Sequence, residues 1–186
     1  MVALTALWLP ILLSAVAAFI ASSILHMVLT YHRSDYSPLP GEANIQAAMR
    51  KEGVARGHYV LPHCTDMKEM TKPEVKEKYE KGPVALITVM PSGLPSMAKP
   101  LVSWFVYCVV ISVFVAYLAG RTLAAGTDYL MVFRVAGTTA FLGYAAAQAT
   151  NSIWGGLPWG ITIKHMFDGL IYALLTAGFF GWLWPS

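Results

Sequence analysis

Four stretches of this sequence are long enough and apolar enough to cross a bilayer, and they constrain the fold more than any other feature. A spanning helix needs roughly 20 predominantly apolar residues. Residues 4–31, 101–120, 129–150 and 160–184 each meet that requirement. Composition agrees: 56% of residues are hydrophobic and 12% charged, against about a quarter charged in soluble domains. With 186 residues in all, there is room for one membrane domain and a modest extramembrane piece. The first run is expected to be a retained transmembrane helix. No Lys or Arg precedes it, and it is longer than the apolar region of a signal peptide.

These runs predict an all-α membrane protein, a four-transmembrane-helix bundle with a small α+β insert between helices 1 and 2. Residues 1–31 carry the first helix, residues 32–99 the insert, and residues 100–186 helices 2–4. Ten Lys and Arg residues fall in or beside the insert, against Arg121 alone in the opposite loop. The positive-inside rule then puts the insert in the cytoplasm and both termini on the outer side. Trp8, Trp182 and Trp184 are expected to mark one interface, and Trp104, Trp154 and Trp159 the other. The formal charge of +3 is too small to argue for nucleic acid as a partner.

Within the insert, residues 41–53 read as a short helix closed by Gly53. Residues 72–80 read as a second, with Pro73 in its first turn and Glu77 and Lys81 paired at i,i+4. Residues 84–90 are rich in β-branched side chains and bounded by turn residues, which predicts a strand that residues 58–61 could partner. Cys64 and Cys108 are expected to stay unpaired. His63-Cys64-Thr65-Asp66 offers metal-ligand types without the second ligand pair a zinc site wants, so no metal is predicted.

The candidate site is Lys164-His165-Met166-Phe167-Asp168, inside the last apolar run. Ionisable groups at membrane depth are costly and usually face a protein interior or a polar cavity. Antiparallel spans bring His26, His32, Arg33, Asn151, Lys164, His165 and Asp168 to one end of the bundle. Ser14, Ala18, Ser22 and His26 recur every four residues, a stripe of small residues that lets helices approach closely and is expected to aim His26 inward. His165, Asp168 and Tyr172 share a helix face, and Lys164 is within reach of Asp168. His26 and His165 are the candidate ligands for a haem or quinone, while Asn151, Lys164, Asp168 and Tyr172 complete a polar cluster. Arg134 is expected to pair with Asp128 or to extend to the interface.

The segment Asn151-Ser-Ile-Trp-Gly-Gly-Leu-Pro158, followed by Asp168, resembles a group of small four-helix bacterial integral membrane proteins of unknown function. They carry an Asn-x-x-aromatic-x-Gly-x-Pro turn before a last helix opened by Asp. The resemblance covers the last quarter of the chain; it implies a four-helix fold and a bacterial origin, and supplies no activity.

No catalytic motif is present, and no enzyme activity is expected. The favoured role is a structural or accessory subunit of a larger bacterial membrane complex, with the lipid bilayer and other membrane subunits as partners. No cofactor is predicted in that role. The alternative is a bis-histidine protein binding haem b or a quinone for electron transfer, and a second alternative is a small transporter or proton path. The expected location is the bacterial inner membrane.

Overall fold

The computed structural model describes all residues, Met1–Ser186. Helix α1 spans Trp8–Ser23, entered through a 3-10 turn at Leu4–Leu7 and extended by a π-helical turn at Ile24–Val28. Helix α2 is Glu42–Lys51, strand β1 Gly57–Leu61, helix α3 Pro73–Lys81 and strand β2 Ala85–Val89. Helix α4 runs over Ala98–Thr122, α5 over Tyr129–Tyr144, the short α6 over Ala149–Ile153 and α7 over Trp159–Trp182. The chain divides into two compact units, Met1–Tyr36 with Ser96–Ser186, and Ser37–Pro95.

In the first unit α1, α4, α5 and α7 close a ring, α1 and α5 each packing against both α4 and α7. Three rods, Leu4–Val28, Ala98–Thr122 and Tyr129–Ile153, are each 25 residues long and apolar enough to cross a membrane. At 1.5 Å per residue each exceeds a hydrocarbon core of about 30 Å. Only 22–28% of the residues in their apolar windows are buried within the protein. Most of that apolar surface therefore faces outward, which water would not tolerate and lipid does. Helix α7 has 24 residues, and Lys164, His165 and Asp168 in its early turns lower its apolarity.

Lipid supplies no hydrophobic drive between helices, so the ring depends on close approach and interhelical hydrogen bonds. Ala15, Ala18, Ala116, Ala136, Ala140 and Ala177 are fully covered. Ser14 and Ser112 join α1 to α4 through their hydroxyls at 2.9 Å. Gly169 is the tightest point near the candidate site: a Cβ there would stand 2.7 Å from the Tyr144 carbonyl oxygen and 2.8 Å from Ala145. At the far end, the Val2 N–H donates to the Gly120 carbonyl and the Gly126 N–H to that of Pro185, both at 2.8 Å. The two termini and the α4–α5 turn are thereby tied together.

Three details differ from the sequence expectation. The first rod stops at Val28, not residue 31, and the chain reverses through a 3-10 turn at Tyr31–Asp35. Residues 32–36 consequently belong to the helical unit. Asp128 does not pair with Arg134; it caps α5, its Oδ1 accepting from the Met131 N–H at 3.2 Å, and Arg134 stands exposed. Trp104 is part-buried, whereas Trp154 and Trp159 are exposed. It turns inward and donates its indole N–H to Ser22 Oγ at 2.7 Å.

The second unit matches its local sequence signals. Strands β1 and β2 pair antiparallel, from Gly57 opposite Val89 to Leu61 opposite Ala85. Pro73 opens α3, Lys81 reaches Glu77 at 2.6 Å, and the Tyr79 hydroxyl donates to the Pro62 carbonyl at 3.1 Å. The Lys81–Glu77 ion pair is exposed and contributes little. Cys64 turns its thiol to the Asp66 carbonyl.

Gly169→Ala is expected to lower stability by about 1–3 kcal/mol, because Tyr144 and Ala145 at the end of α5 block the added methyl. Gly160→Ala on the same helix, with open space at its Cβ, should leave the melting temperature unchanged or slightly raised. Thermal unfolding in detergent checks the pair; equal effects would refute the close approach.

Candidate metal centre

Asp168 sits in α7 with its side chain only 2% exposed. An ionised carboxylate at such a place requires direct compensation, and the reversal after α1 supplies it. The Tyr31 hydroxyl donates to Asp168 Oδ1. His32 Nε2 lies 2.8 Å from Oδ2, and His32 Nδ1 lies 2.6 Å from Asp35 Oδ2. Asp35, 3% exposed, accepts from Lys164 Nζ at 2.6 Å through its other oxygen. Lys164 also donates to Ser34 Oγ at 2.8 Å and to the Tyr31 carbonyl at 3.0 Å. The result is a closed circuit from Asp168 through His32 and Asp35 to Lys164, back on the helix where it began.

The electrostatics follow from these contacts. The hydrogen bond from Lys164, with a second from His32, holds the Asp35 carboxyl below the usual carboxylate range against the opposing effect of burial. Burial and the contact with Asp168 push the Tyr31 hydroxyl up, so it acts as a proton-bearing donor. Asp168 Oδ1 is thereby committed to Tyr31, and Oδ2 is left facing the imidazoles.

Two further histidines converge on Oδ2. His26 Nε2 is 3.8 Å away and His165 Nδ1 4.0 Å. The three rings lie within 15–21° of parallel, with centroids 4.4, 5.1 and 6.1 Å apart. One ligand atom from each of His26, His32, His165 and Asp168 falls within 4.8 Å of every other. A four-coordinate ion with bonds of about 2.0–2.1 Å places its ligand atoms about 3.4 Å apart. The carboxylate–imidazole separations of 2.8, 3.8 and 4.0 Å bracket that spacing.

Metal-bound histidines characteristically turn their second nitrogen to an oxygen, which fixes the tautomer and the ring. His26 does so with the Ser22 carbonyl at 3.1 Å, and His32 does so with Asp35. In both, Nε2 is left pointing at the shared centre. The donor set, three imidazoles and a carboxylate without thiolate, suits a borderline divalent ion such as zinc.

The centre borders a cavity of about 300 Å³, whose lining includes His26, His165, Asp168, Trp104, Tyr144 and Tyr172. Tyr172 is 4% exposed, and its hydroxyl is buried without a hydrogen-bond partner.

Of the residues singled out from the sequence, His26, His165, Asp168 and Tyr172 meet around this cavity. Lys164 does not reach Asp168; the reversal places Asp35 in its path. Asn151 stays outside the cluster. It is exposed on α6, its amide donates to Gln148 Oε1 at 2.9 Å, and its carbonyl closes the turn to Leu157 at 3.2 Å. Gly156 makes that turn possible at φ +67°. Ser14, Ala18 and Ser22 are buried as the stripe implied, yet His26 is 43% exposed. The π-helical turn widens the helix there and swings His26 off the stripe, along the edge of the cluster. Tyr31 and Asp35 were missed, and His32 was placed near the site without a role. The i,i+3 pair His32-x-x-Asp35 just beyond the first apolar run was the available signal.

A scan of family models, curated proteins and solved structures gives no match to this chain.

Lys164→Ala should strip the buried Asp35 of its cation and destabilise the protein by about 1–3 kcal/mol. Arg134→Ala, removing an exposed charge without an ion pair, should change stability by less than about 0.5 kcal/mol. Chemical denaturation of both variants, followed by circular dichroism, checks the difference.

Proposed function

We propose that this chain is a membrane metalloprotein whose ring of four helices holds one divalent transition-metal ion, zinc by preference, through His26, His32, His165 and Asp168. The observation that carries the reading is the convergence of four ligand atoms within 4.8 Å, two of them on histidines already braced by an oxygen at the other ring nitrogen. Helix α7 is taken as the fourth span. Its charged residues lie in its early turns, and the rest of the helix is apolar. The centre then sits near one membrane interface, with the insert in the cytoplasm, both termini periplasmic, and the bacterial inner membrane as the location.

A second reading has its own support. Without an ion, His32 bridges Asp35 and Asp168 through its two ring nitrogens, and Lys164 pairs with Asp35. The cluster is then a clamp holding the α1 reversal to α7, in a structural or accessory subunit of a larger membrane complex. The proximity of His26 and His165 to the same oxygen favours the ion, because the clamp has no use for either ring. A haem is disfavoured by crowding: His32 stacks within 4.4 and 5.1 Å of both other rings, which leaves no flat slot between them.

Elemental analysis of the protein purified without chelator is expected to find one metal equivalent per chain. His32→Ala and Asp168→Ala should lose it. Asp35→Asn should retain the ligands but weaken binding by about 10- to 100-fold, as removal of an orienting partner does. A metal-free wild type that also binds no zinc on titration would leave the clamp reading standing alone.

Topology has a simple probe, since Cys108 is buried and Cys64 only partly covered. A membrane-impermeant maleimide should label Cys64 in inverted vesicles and leave it unmodified in right-side-out ones. Labelling from the periplasmic side would reverse the assigned orientation.

A further inference from the structure

The cavity beside the metal centre has a chemical asymmetry that the ion does not explain. Its inner end is an aromatic box. Trp104 and Tyr144 stand edge-on to Tyr172, with ring centroids 5.8 and 5.6 Å from it. Each ring carries one polar hydrogen, and two of the three are committed. Trp104 donates to Ser22 Oγ at 2.7 Å, and Tyr144 reaches the Cys108 carbonyl at 3.4 Å. Tyr172 alone has no acceptor, although its hydroxyl is sealed from solvent. A buried donor left unmet costs about 1–3 kcal/mol, so an acceptor entering from the cavity gains that hydrogen bond once the side chains covering the hydroxyl give way.

The remaining walls define what can bring that acceptor. Pro100 and Leu101 are apolar, and Met27 and Met97 form an exposed rim between α1 and α4, whose outer surfaces face lipid in the reading above. A volume of about 300 Å³ lies at the lower limit of ordinary ligand pockets. It admits a single substituted ring and excludes a macrocycle. The occupant must therefore be apolar, planar and ring-sized, carry an acceptor oxygen, and reach the site from the bilayer.

We infer that this cavity binds the headgroup of a membrane quinone, one carbonyl accepting from Tyr172 and the ring lying within the Trp104–Tyr144 box beside the His26 and His165 edges. The assignment of a quinone as the molecule presented to the centre rests on the metal reading. The binding itself does not require the ion, so the two fail separately.

The test uses the full chain in phosphatidylcholine nanodiscs and a decyl-substituted benzoquinone as probe. Cobalt is titrated first, without quinone, and its d–d absorption bands report on the metal reading alone. Quinone is then added to metal-free and cobalt-loaded protein. Saturable quenching of tryptophan fluorescence is expected in both, with a shift of the cobalt bands in the loaded form. Tyr172→Phe should weaken binding about five- to tenfold, the effect of one hydrogen bond, and leave the cobalt titration unchanged. Leu101→Trp, at the cavity wall, should abolish saturation, which keeps the proposal testable if the first variant folds poorly. Quenching that rises linearly with quinone and is identical in wild type and Leu101→Trp would mean partition into lipid only and would overturn the proposal. Saturable binding indifferent to Tyr172→Phe would overturn the assigned hydrogen bond and with it the seat of the ring.

Discussion

The structure depends on the carboxylate of Asp168, held in an apolar helix with almost no exposure. A charge at that depth cannot be left to solvent, and each nearby feature answers to it. The chain leaves α1 through a π-helical turn and folds back, which delivers the Tyr31 hydroxyl to one oxygen and His32 to the other. Asp35 then braces His32, and Lys164 neutralises Asp35. Gly169, the next residue of α7, lets the helix approach the end of α5 closely enough to close over the site. Removing one partner from such a network leaves another buried charge exposed to the same penalty, so the cluster stands or falls as a unit.

That dependence separates the two readings of the cluster. A clamp explains His32, Asp35 and Lys164 completely, because each is bonded to the next and His32 to Asp168. It leaves His26 and His165 as spectators, each with a ring nitrogen within 4.0 Å of an oxygen that is already bonded. An ion gives both a role and explains why His26 turns its other nitrogen to a backbone carbonyl. The Trp104, Tyr144 and Tyr172 rings lie beside that centre and line the cavity. In the proposed reading the ion and the cavity form adjacent halves of one site.

Much of this was legible in the sequence, for identifiable reasons. Four spans were read from apolar length alone, three of which are helices long and apolar enough to cross a membrane, and the Lys-His-x-x-Asp segment stood out because charge is expensive in such a run. Antiparallel topology then brought His26 to the same end. The strand pair of the insert followed from β-branched residues between turn signals. What hydropathy could not show was where α1 stops. Apolarity continues to residue 31, whereas the helix ends at Val28, and the difference turns Tyr31, His32 and Asp35 from flanking residues into the heart of the site. The same reversal redirected Lys164, whose expected partner one turn away lost to an aspartate 129 positions distant in sequence. Asn151 was misplaced because the break after Tyr144 starts a separate short helix that carries it outward.

The central claim is that one ion sits among three imidazoles and a carboxylate. X-ray absorption at the zinc edge of the purified, zinc-loaded protein tests it most directly. A single shell of three imidazole nitrogens and one oxygen at about 2.0–2.1 Å is expected, with the multiple-scattering signature of three rings, and no protein-bound zinc in His32→Ala. A shell made only of solvent oxygens, or one containing sulfur, would contradict it.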